Sequence, residues 1–474
     1  MRSTEAIDTI AIIGGGISGL SSAFYLQKEA RESGRKLNII LLEQSNKLGG
    51  KINTLTKDNF VIEKGPDSFL SRKRAIIDLA HEVGLADDIV SINPQATKTY
   101  IVSDGKLHTI PKGLVLGIPT DMISFLQSSL ISASGKWEAL KDIFKPAQSK
   151  QDDESLGLFL ERRIGRELVE KIAEPLLAGI YAGDLRKLSL QATFPYFSDY
   201  EQQYGSIILG SRQNRRLQAE MNKGQLPPTF MTFKKGLSSL VNAVVEQLTD
   251  VDIRLNHTVD RIDLKDSGYL VQLKDGASLP VNSVIITTPA FHAKQLLSPF
   301  VDVTALDKIR YVSVANVVLA FNKAELGIDF DGSGFLVPHS ENMHITACTW
   351  TSKKWLHTAP EDKVLMRCYV GHSEDQQSIL LDDDALVEAV KSDIKKLLPI
   401  KAEPIFTEIT RLYHSMPQYP IGHVDMTKQL KNNLEQKLPG VLITGAAFDG
   451  VGLPDCIRQG KDIANQALQF VTKA

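Results

Sequence analysis

A glycine-rich turn close to the start of the chain constrains the fold more than any other feature. The pattern Gly14-x-Gly16-x-x-Gly19 lies between an apolar, β-rich run at residues 9–13 and a segment with helical spacing at residues 18–31. Glycines at these positions permit a tight strand-to-helix turn and let the backbone approach a pyrophosphate, which the N-terminus of the helix stabilises. The turn therefore predicts a β–α unit that binds a phosphorylated ligand.

A second strand and an acidic residue complete this unit. Residues 37–42 are a continuous apolar run, which is typical of a strand buried on both faces of a parallel sheet. Glu43 follows, 24 residues after Gly19, where a carboxylate can accept the hydroxyls of a ribose. Strand, turn, helix and carboxylate together predict a dinucleotide site of the Rossmann type.

Further glycines favour FAD over a nicotinamide cofactor. Gly49 and Gly50 follow shortly after the acidic residue, in a position that a domain binding only NAD does not require. Near the other end of the chain, the apolar run 441–444 leads into the glycine-rich segment 445–453, and a helix is expected from about residue 455. This second junction can approach the far end of one extended cofactor. We therefore expect one FAD domain built from separated pieces of chain.

Composition and length limit the possible classes of protein. At 474 residues, with 43% hydrophobic and 23% charged residues, the chain should form two or three globular domains. The formal net charge of −2 gives no reason to expect a nucleic-acid partner. Three cysteines and ten histidines show no metal-ligand spacing, so neither a metal site nor a disulfide is expected. No stretch has the length of a membrane span, and Glu5 and Asp8 argue against a secretory leader, so we expect a cytoplasmic protein.

The hydrophobic periodicity changes along the chain. Residues 112–205 carry helical patterns with little strand signal, whereas alternation typical of strands returns after residue 251. We predict an α/β fold with α+β parts: a Rossmann-type FAD-binding domain, a β-rich substrate domain and a helical domain. The expected division assigns 1–70, 225–295 and 425–474 to the FAD-binding domain, 71–111, 206–224 and 296–424 to the substrate-binding domain, and 112–205 to the helical domain.

Several segments along the whole chain resemble one family. The chain is similar to the flavin-containing amine oxidase superfamily and, within it, to the porphyrinogen oxidases of haem biosynthesis, above all to the coproporphyrinogen III oxidases of Gram-positive bacteria. The segments that carry this resemblance are 63–73 (EKGPDSFLSRK), 111–119 (PKGLVLGIP), 174–190 (EPLLAGIYAGDLRKLSL), 345–355 (ITACTWTSKKW), 415–419 (SMPQY) and 448–456 (FDGVGLPDC).

The resemblance implies a set of FAD contacts, position by position. Two of them depart from the family pattern, because Lys51 replaces an arginine and Leu412 stands where an aromatic residue is usual. A lysine can neutralise a phosphate, but without bidentate geometry. The implied cofactor-binding residues are Gly14, Gly15, Gly16, Ile17, Ser18, Gly19, Glu43, Gln44, Lys51, Gly65, Pro66, Asp67, Ser68, Val259, Leu412, Gly450, Val451, Gly452 and Leu453.

The resemblance also implies the reaction. A porphyrinogen loses six electrons in three two-electron steps, FAD accepts each hydride, and molecular oxygen reoxidises the flavin with release of hydrogen peroxide. No catalytic side chain is therefore required, and none is predicted. The substrate is an apolar disc with carboxylates on its rim, so the cleft should combine an apolar wall with cations. We expect Ile180 and Tyr181 in that wall, and Lys73, Lys98 and Arg72 as the cations.

Alternatives remain open at this point. The substrate can be coproporphyrinogen III or protoporphyrinogen IX, and other flavin oxidases act on amines or polyenes. A flavoprotein that binds a porphyrin without turnover is a third class. The helical domain corresponds to the membrane-associating domain of the family, but no basic cluster flanks its apolar residues, so we expect these to pack against the protein, with weak peripheral membrane contact as the alternative. These residues are Ile123, Leu126, Leu130, Trp137, Leu140 and Phe144.

Overall fold

The computed structural model describes residues 7–149, 152–221 and 229–473. Outside these ranges lie parts of all three expected domains, namely residues 1–6, 150–151, 222–228 and 474. In chain order, the strands are β1 (Asp8–Ile13), β2 (Leu37–Leu42), β3 (Thr54–Lys57), β4 (Phe60–Glu63), β5 (Phe69–Leu70), β6 (Ile89–Ser91), β7 (Lys98–Ser103), β8 (Lys106–Thr109), β9 (Leu114–Val115), β10 (Ile118–Pro119), β11 (Phe230–Phe233), β12 (Val251–Arg254), β13 (Val259–Lys265), β14 (Gly268–Leu273), β15 (Ser278–Val281), β16 (Ser283–Ile286), β17 (Tyr311–Asn322), β18 (Gly332–Leu336), β19 (Ile345–Trp350), β20 (Lys363–Val370), β21 (Phe406–Pro417) and β22 (Val441–Ile443).

Helices connect and cover these strands. They are α1 (Ile17–Glu32), α2 (Ala75–Glu82), α3 (Met122–Gln127), α4 (Ala133–Leu140), α5 (Leu156–Ile164), α6 (Arg166–Leu168), α7 (Glu174–Tyr181), α8 (Leu190–Thr193), α9 (Pro195–Tyr204), α10 (Ile207–Met221), α11 (Ser238–Gln247), α12 (Ala290–Leu297), α13 (Thr304–Lys308), α14 (Lys323–Leu326), α15 (Thr351–Lys354), α16 (Asp383–Leu397), α17 (His423–Lys437) and α18 (Leu453–Lys473).

A five-stranded parallel sheet in the order β12–β2–β1–β16–β22 forms the centre of the FAD-binding region. Side chains alternate across a strand, so Ile10 and Ile12 of β1 join a core with α1, α2, α11 and α18. Ala11 and Ile13 join the opposite core with the β13–β15 meander, α12 and α17. The strand β2 on one side of β1 follows it directly in the chain, whereas β16 on the other side comes from a distant part of the chain. The carboxyl end of β1 is therefore the switch point at which open α/β sheets bind ligands.

A second sheet has seven strands in the order β21–β17–β20–β19–β18–β7–β8. Its neighbours are antiparallel except for β18 and β7, which run parallel. Helix α16 covers one face, where Leu386 and Val390 pack on Val317. The other face presents Val318 to the β3–β4 hairpin, in which Phe60 is buried. The amide of Thr54, in the same hairpin, donates to the hydroxyl of Ser238 on α11 at 2.8 Å, so the hairpin links the second sheet to the FAD-binding region.

The helical region has its own apolar core with a buried ionic network at its edge. Most of helices α3 to α10 contribute buried side chains to this core. The fully buried Arg163 donates to Asp142 at 2.5 Å and to Glu201 at 3.2 Å. A buried charge of this kind is stable only because it is paired and hydrogen-bonded.

One element packs differently from the sequence expectation. Residues 206–224 were expected in the substrate-binding domain, but α10 places Ile207 and Ile208 in the helical core. The hydroxyl of Ser206 also donates to the buried carboxylate of Asp142. An apolar first turn followed by a polar helix explains this packing, because only that turn carries residues that require burial.

The expectation that the apolar side chains of the helical region pack inward is wrong for four of the six. Leu130 is buried at 3% exposure, but Ile123 is 71%, Leu126 48%, Trp137 64% and Phe144 84% exposed. The Nζ of Lys136 donates to the carbonyl of Leu126 at 2.8 Å, which links the two short helices that carry most of them. We call these four side chains the apolar patch. Within the described ranges, no helix combines the length and apolar character needed to span a bilayer.

Candidate functional site

The turn between β1 and α1 is closed by backbone contacts that exclude side chains. Gly14 has a φ of 112°, in the left-handed region, and its amide donates to the carbonyl of Leu42 at 2.8 Å. A Cβ on Gly19 would lie 1.9 Å from the carbonyl oxygen of Gly14, so only glycine lets α1 begin this close to β1. Ile17 and Ser18 are buried in the first turn of α1.

Gly16, in contrast, is not required by the packing of the protein itself. A Cβ at Gly16 would meet no protein atom within 4 Å, whereas one at Gly15 would lie 2.5 Å from the side chain of Leu48. Gly16 is the N-cap of α1, no side chain caps this end, and the first turn contains no acidic residue. The free amides and the helix dipole therefore face an open cradle with the chemistry of a phosphate site.

The carboxylate of Glu43 ties the cradle to the end of β2. One of its oxygens accepts the amide of Gly15 at 2.7 Å, and the other accepts the amide and hydroxyl of Ser45, each at 2.8 Å. A carboxylate oxygen has about two acceptor sites, so the oxygen that accepts only the Gly15 amide can still accept a ribose hydroxyl. The neighbouring Gln44 is exposed.

The segment between β12 and β13 borders the same edge. The amide of His257 donates to the carbonyl of Glu43 at 2.9 Å, and that of Asn256 donates to the carbonyl of Ser45 at 3.0 Å. Val259 begins β13 two residues later and packs, half-buried, on the core beneath. This places Val259 on the Glu43 side of the cradle.

Lys51 lies on the other side, after the Gly49–Gly50 pair. The amide of Gly49 donates to the carbonyl of Gly15 at 2.9 Å, so the pair rests against the cradle. The ammonium of Lys51 donates to the carbonyl of Ser415. Lys51 has solvent-exposed surface, yet the surrounding protein desolvates its ammonium and lowers the pKa. Both observations hold because Lys51 lines a deep concave cleft.

The loop Gly65–Ser68 follows β4 and is fixed from beneath. A Cβ on Gly65 would lie 1.8 Å from the carbonyl oxygen of Lys51, so the two cofactor segments touch through their backbones. The guanidinium of Arg367, on β20, donates to the carbonyl of Gly65. The next residue, Pro66, is half-buried. The second sheet therefore holds this loop at the mouth of the cleft.

Charges beneath the loop are buried and paired. Burial alone would raise the pKa of Asp67, but Lys354 and Arg367 outweigh it and hold the pKa at about 2. The Lys354 ammonium lies 3.5 Å from the Asp67 carboxylate. Burial raises the pKa of Glu63, at the end of β4, to about 7. A cavity of about 20 Å³ lies among these groups and has room for one water that could satisfy buried nitrogens of Arg367.

The segment Gly450–Leu453 leads into α18, the longest helix in the described ranges. The amide of Gly450 donates to the hydroxyl of Tyr419 at 3.0 Å, and this hydroxyl donates to the carbonyl of Ala446 at 2.7 Å. Val451 packs on the helical core, while Gly452 lies close to the carboxylate of Asp455. A second helix N-terminus is thus positioned where the three regions of the protein meet.

Two of the predicted substrate residues lie at this junction. The ring of Tyr181 packs against that of Tyr419, with centroids 5.7 Å apart, and burial raises its pKa. The ammonium of Lys73 lies 2.5 Å from the carboxylate of Asp455. The structure therefore brings Tyr181 and Lys73 together beside Gly450.

The remaining predicted residues lie elsewhere or at the edge. Lys98 is exposed at the start of β7, where it pairs with Asp331 at 2.6 Å. Ile180 packs, half-buried, on the helical core. Arg72 is exposed and close enough to Tyr196 to lower the pKa that burial raises there. Leu412 is half-buried in β21, opposite Val314. No contact between described residues joins Lys98 to Lys73.

Sequence reasoning missed the residues that position the predicted ones. Arg367, Tyr419 and Asp455 each contact a predicted segment, but none stands in a pattern of its own. The only available signal was that Tyr419 and Asp455 belong to segments resembling the family. The sequence also missed a group of side chains, His339, His372 and Glu374, whose ligand atoms lie within 4.8 Å of one another.

These observations fit an extended FAD. Two helix N-termini, a carboxylate at one end and a lysine between them line one continuous edge, and the open space before Gly16 matches a pyrophosphate rather than a side chain. A model of the family of flavin containing amine oxidoreductases matches residues 17–468. The chain belongs to this family. Its membership confirms the predicted α/β fold, the FAD cofactor and the oxidoreductase class.

Similar proteins cover the whole chain. The chain is 42% identical over 463 residues to the coproporphyrinogen III oxidase of Bacillus subtilis (strain 168), covering 98% of each chain. It is 40% identical over 469 residues to the Staphylococcus aureus protein of the same name, covering 97% of this chain and 99% of the other. A solved structure of a candidate protoporphyrinogen oxidase from Exiguobacterium sp. 255-15 has a TM-score of 0.87 at 34% identity and covers 98% of this chain and 99% of its own.

The cradle makes a direct prediction about Gly16. In Gly16→Val the Cβ meets no protein atom within 4 Å and the side chain fills the space before α1, so the variant should fold and purify without flavin. Gly19→Ala is the matched comparison, because its Cβ would collide with the backbone of Gly14 and should damage folding as well. Flavin absorbance and thermal unfolding measure the two effects. A Gly16→Val protein with full flavin absorbance would disprove the cradle as the pyrophosphate site.

Proposed function

We propose that this protein is an FAD-dependent oxidase that dehydrogenates coproporphyrinogen III to coproporphyrin III, with oxygen as the electron acceptor and hydrogen peroxide as the second product. The observation that carries this proposal is the identity of 40–42%, over nearly the full chain, with two coproporphyrinogen III oxidases. Each of three steps removes one hydride and one proton and reduces one oxygen molecule to hydrogen peroxide. The bound flavin supplies the two-electron chemistry.

The residues of the cleft have distinct roles in this proposal. The amides around Gly16 hold the pyrophosphate, Glu43 accepts the ribose hydroxyls, and Lys51 contributes a positive charge on the phosphate side. The backbones of Gly65–Ser68 and Gly450–Leu453 border the isoalloxazine end. Val259 flanks the adenosine half. We propose that Gln44, next to Glu43, and Leu412, on β21, also contact FAD.

The chain itself must position the substrate and exclude competing chemistry. Tyr181 and Ile180 supply an apolar wall for the porphyrinogen disc, and the Tyr181 ring is held by Tyr419. The pKa of Tyr181 is raised by burial, so its hydroxyl stays neutral and does not repel the rim carboxylates. Lys73, next to the second helix N-terminus, is the cation placed best to meet a propionate, and Arg72 adjoins it in the chain.

The domain division remains a proposal. We assign the parallel sheet and its cofactor segments to the FAD-binding domain and the seven-stranded sheet to the substrate-binding domain. Residues 112–205 form the helical domain, to which the packing of α10 adds 207–221. The substrate cleft then lies where the three domains meet, beside Tyr419 and Gly450.

Steady-state turnover separates this proposal from its rivals. The purified flavoprotein is incubated in air with coproporphyrinogen III, protoporphyrinogen IX or a primary amine, while porphyrin fluorescence and hydrogen peroxide are recorded. We expect the highest kcat/KM with coproporphyrinogen III. Faster turnover of protoporphyrinogen IX would show that protoporphyrinogen IX is the preferred substrate. Release of hydrogen peroxide with the amine alone would identify the protein as an amine oxidase. Binding of a porphyrinogen without turnover would show that the protein is not an enzyme for this reaction.

Lys73 should discriminate between the two porphyrinogens. Coproporphyrinogen III carries four propionates and protoporphyrinogen IX two, so Lys73→Ala should raise KM more for the former, by about tenfold for one lost charged hydrogen bond. Lys98→Ala tests the second predicted cation by the same comparison of KM for the two porphyrinogens. Lys294→Ala removes an equivalent lysine–aspartate pair, with Asp307 on α13, and should change neither KM. Equal losses with both substrates would exclude Lys73 as a propionate ligand.

We also propose a cytoplasmic location with peripheral contact to the inner face of the membrane. The three cysteines are buried and widely spaced in the sequence, a pattern that does not suggest the disulfide framework of a secreted protein. Trp137 and Phe144 of the apolar patch would enter the membrane–water interface, each contributing about 1.5–3 kcal/mol on full burial.

Replacing both Trp137 and Phe144 with serine should reduce co-sedimentation with phosphatidylglycerol vesicles. Leu356→Ser, exposed at 67% on another face, is the control. Unchanged co-sedimentation of the double variant would exclude this contact.

A further inference from the structure

A group of metal-ligating side chains lies outside the cofactor cleft. His339 follows β18, while His372 and Glu374 stand in the turn after β20. One nitrogen from each histidine and one carboxylate oxygen lie within 4.8 Å of one another. The two imidazole rings are nearly parallel, with centroids 4.0 Å apart and planes at 17°. These residues stand in the connections that follow two different strands, so their convergence is a property of the fold.

We propose that His339, His372 and Glu374 bind one divalent transition-metal ion of the zinc class. Two imidazoles and one carboxylate are a ligand set that zinc uses when a fourth position stays open. Imidazole nitrogens also favour transition metals over magnesium or calcium, which prefer oxygen ligands. The site is distinct from the flavin chemistry and does not depend on the proposed substrate.

The ligand atoms are close together, but the two imidazole rings must turn out of their stacked arrangement, because a bound ion lies in the plane of each ring that ligates it. Zinc–nitrogen bonds of about 2.1 Å place two tetrahedral ligands about 3.4 Å apart. Ligand atoms that lie within 4.8 Å of one another must therefore approach by up to about 1.4 Å. The Glu374 side chain is 56% exposed and its carboxylate lies 3.7 Å from Nδ1 of His339, so it can move without disturbing the core. The amide of Glu374 donates to Nδ1 of His372 at 3.3 Å, so this nitrogen is unprotonated, and an ion bound there would take its lone pair from this long hydrogen bond.

The site is connected to the segment that follows the proposed substrate wall. The amide of Ser373, between two of the ligands, donates to the carbonyl of Ala182 at 2.8 Å. Ala182 follows Tyr181 directly and has a φ of 51°, a left-handed conformation that costs energy for a residue with a side chain. An ion that fixes the turn after β20 would therefore also fix this strained residue. Metal binding should stabilise the folded protein, because only the native state assembles the ligands.

Calorimetric titration of the FAD-bound, full-length protein with Zn²⁺ tests the proposal. We expect one ion per chain and a higher melting temperature with Zn²⁺, and no comparable effect of Mg²⁺. Co²⁺ should give the intense visible bands of a low-coordinate site with nitrogen ligands. His372→Ala should weaken binding by at least the roughly 10–100-fold that loss of an outer-shell partner costs. His81→Ala, exposed on α2, should bind as the parent does.

Glu374→Gln keeps the test decisive if His372→Ala folds poorly. The exposed glutamate can be replaced without a change in packing, and the variant should retain its flavin and bind Zn²⁺ more weakly. Absence of stoichiometric Zn²⁺ binding by the parent protein would overturn the proposal. Equal affinity of the parent and Glu374→Gln would overturn it as well, because the ion would then bind elsewhere.

Discussion

The contact between Gly19 and the carbonyl of Gly14 is the constraint on which the rest of the structure depends. Because a Cβ at Gly19 cannot fit 1.9 Å from that oxygen, α1 can leave the sheet immediately above β1 only with glycine at this position. The helix then points its free amides at the carboxyl end of β1. At the same edge, Glu43 follows the neighbouring strand β2. Thr287 follows β16 on the other side of β1 and lies beside Gly445. The other cofactor segments are held by close backbone contacts and by hydrogen bonds to side chains.

Those contacts explain how distant parts of the chain form one site. Gly49 bonds to Gly15, Gly65 touches the backbone of Lys51, and Gly450 is held by the hydroxyl of Tyr419. The second sheet supports the loop at Gly65 through a buried arginine rather than through an exposed side chain. The cost of burying this charge is offset by Asp67 and by the loop carbonyl. The cleft is therefore preorganised by contacts within the protein itself.

The sequence predicted the parts of the site that local chemistry determines. The run 37–42 corresponds to β2 residue for residue, and the glycine pattern and Glu43 have the predicted arrangement, because strand burial and turn geometry are short-range. The partners of these segments could not be predicted, since Arg367 and Gly65 are 302 residues apart and Lys73 and Asp455 are 382 apart. Helical periodicity identified the apolar residues around Trp137, but it cannot show whether another element covers them.

An anaerobic single turnover tests the central claim most directly, that this flavin site oxidises a porphyrinogen. The oxidised holoprotein is mixed with coproporphyrinogen III without oxygen, and flavin absorbance and porphyrin fluorescence are followed together. We expect flavin absorbance to fall, and air to restore it while fluorescence rises and hydrogen peroxide appears. Unchanged flavin absorbance with both coproporphyrinogen III and protoporphyrinogen IX, in a protein with a full complement of FAD, would contradict the account.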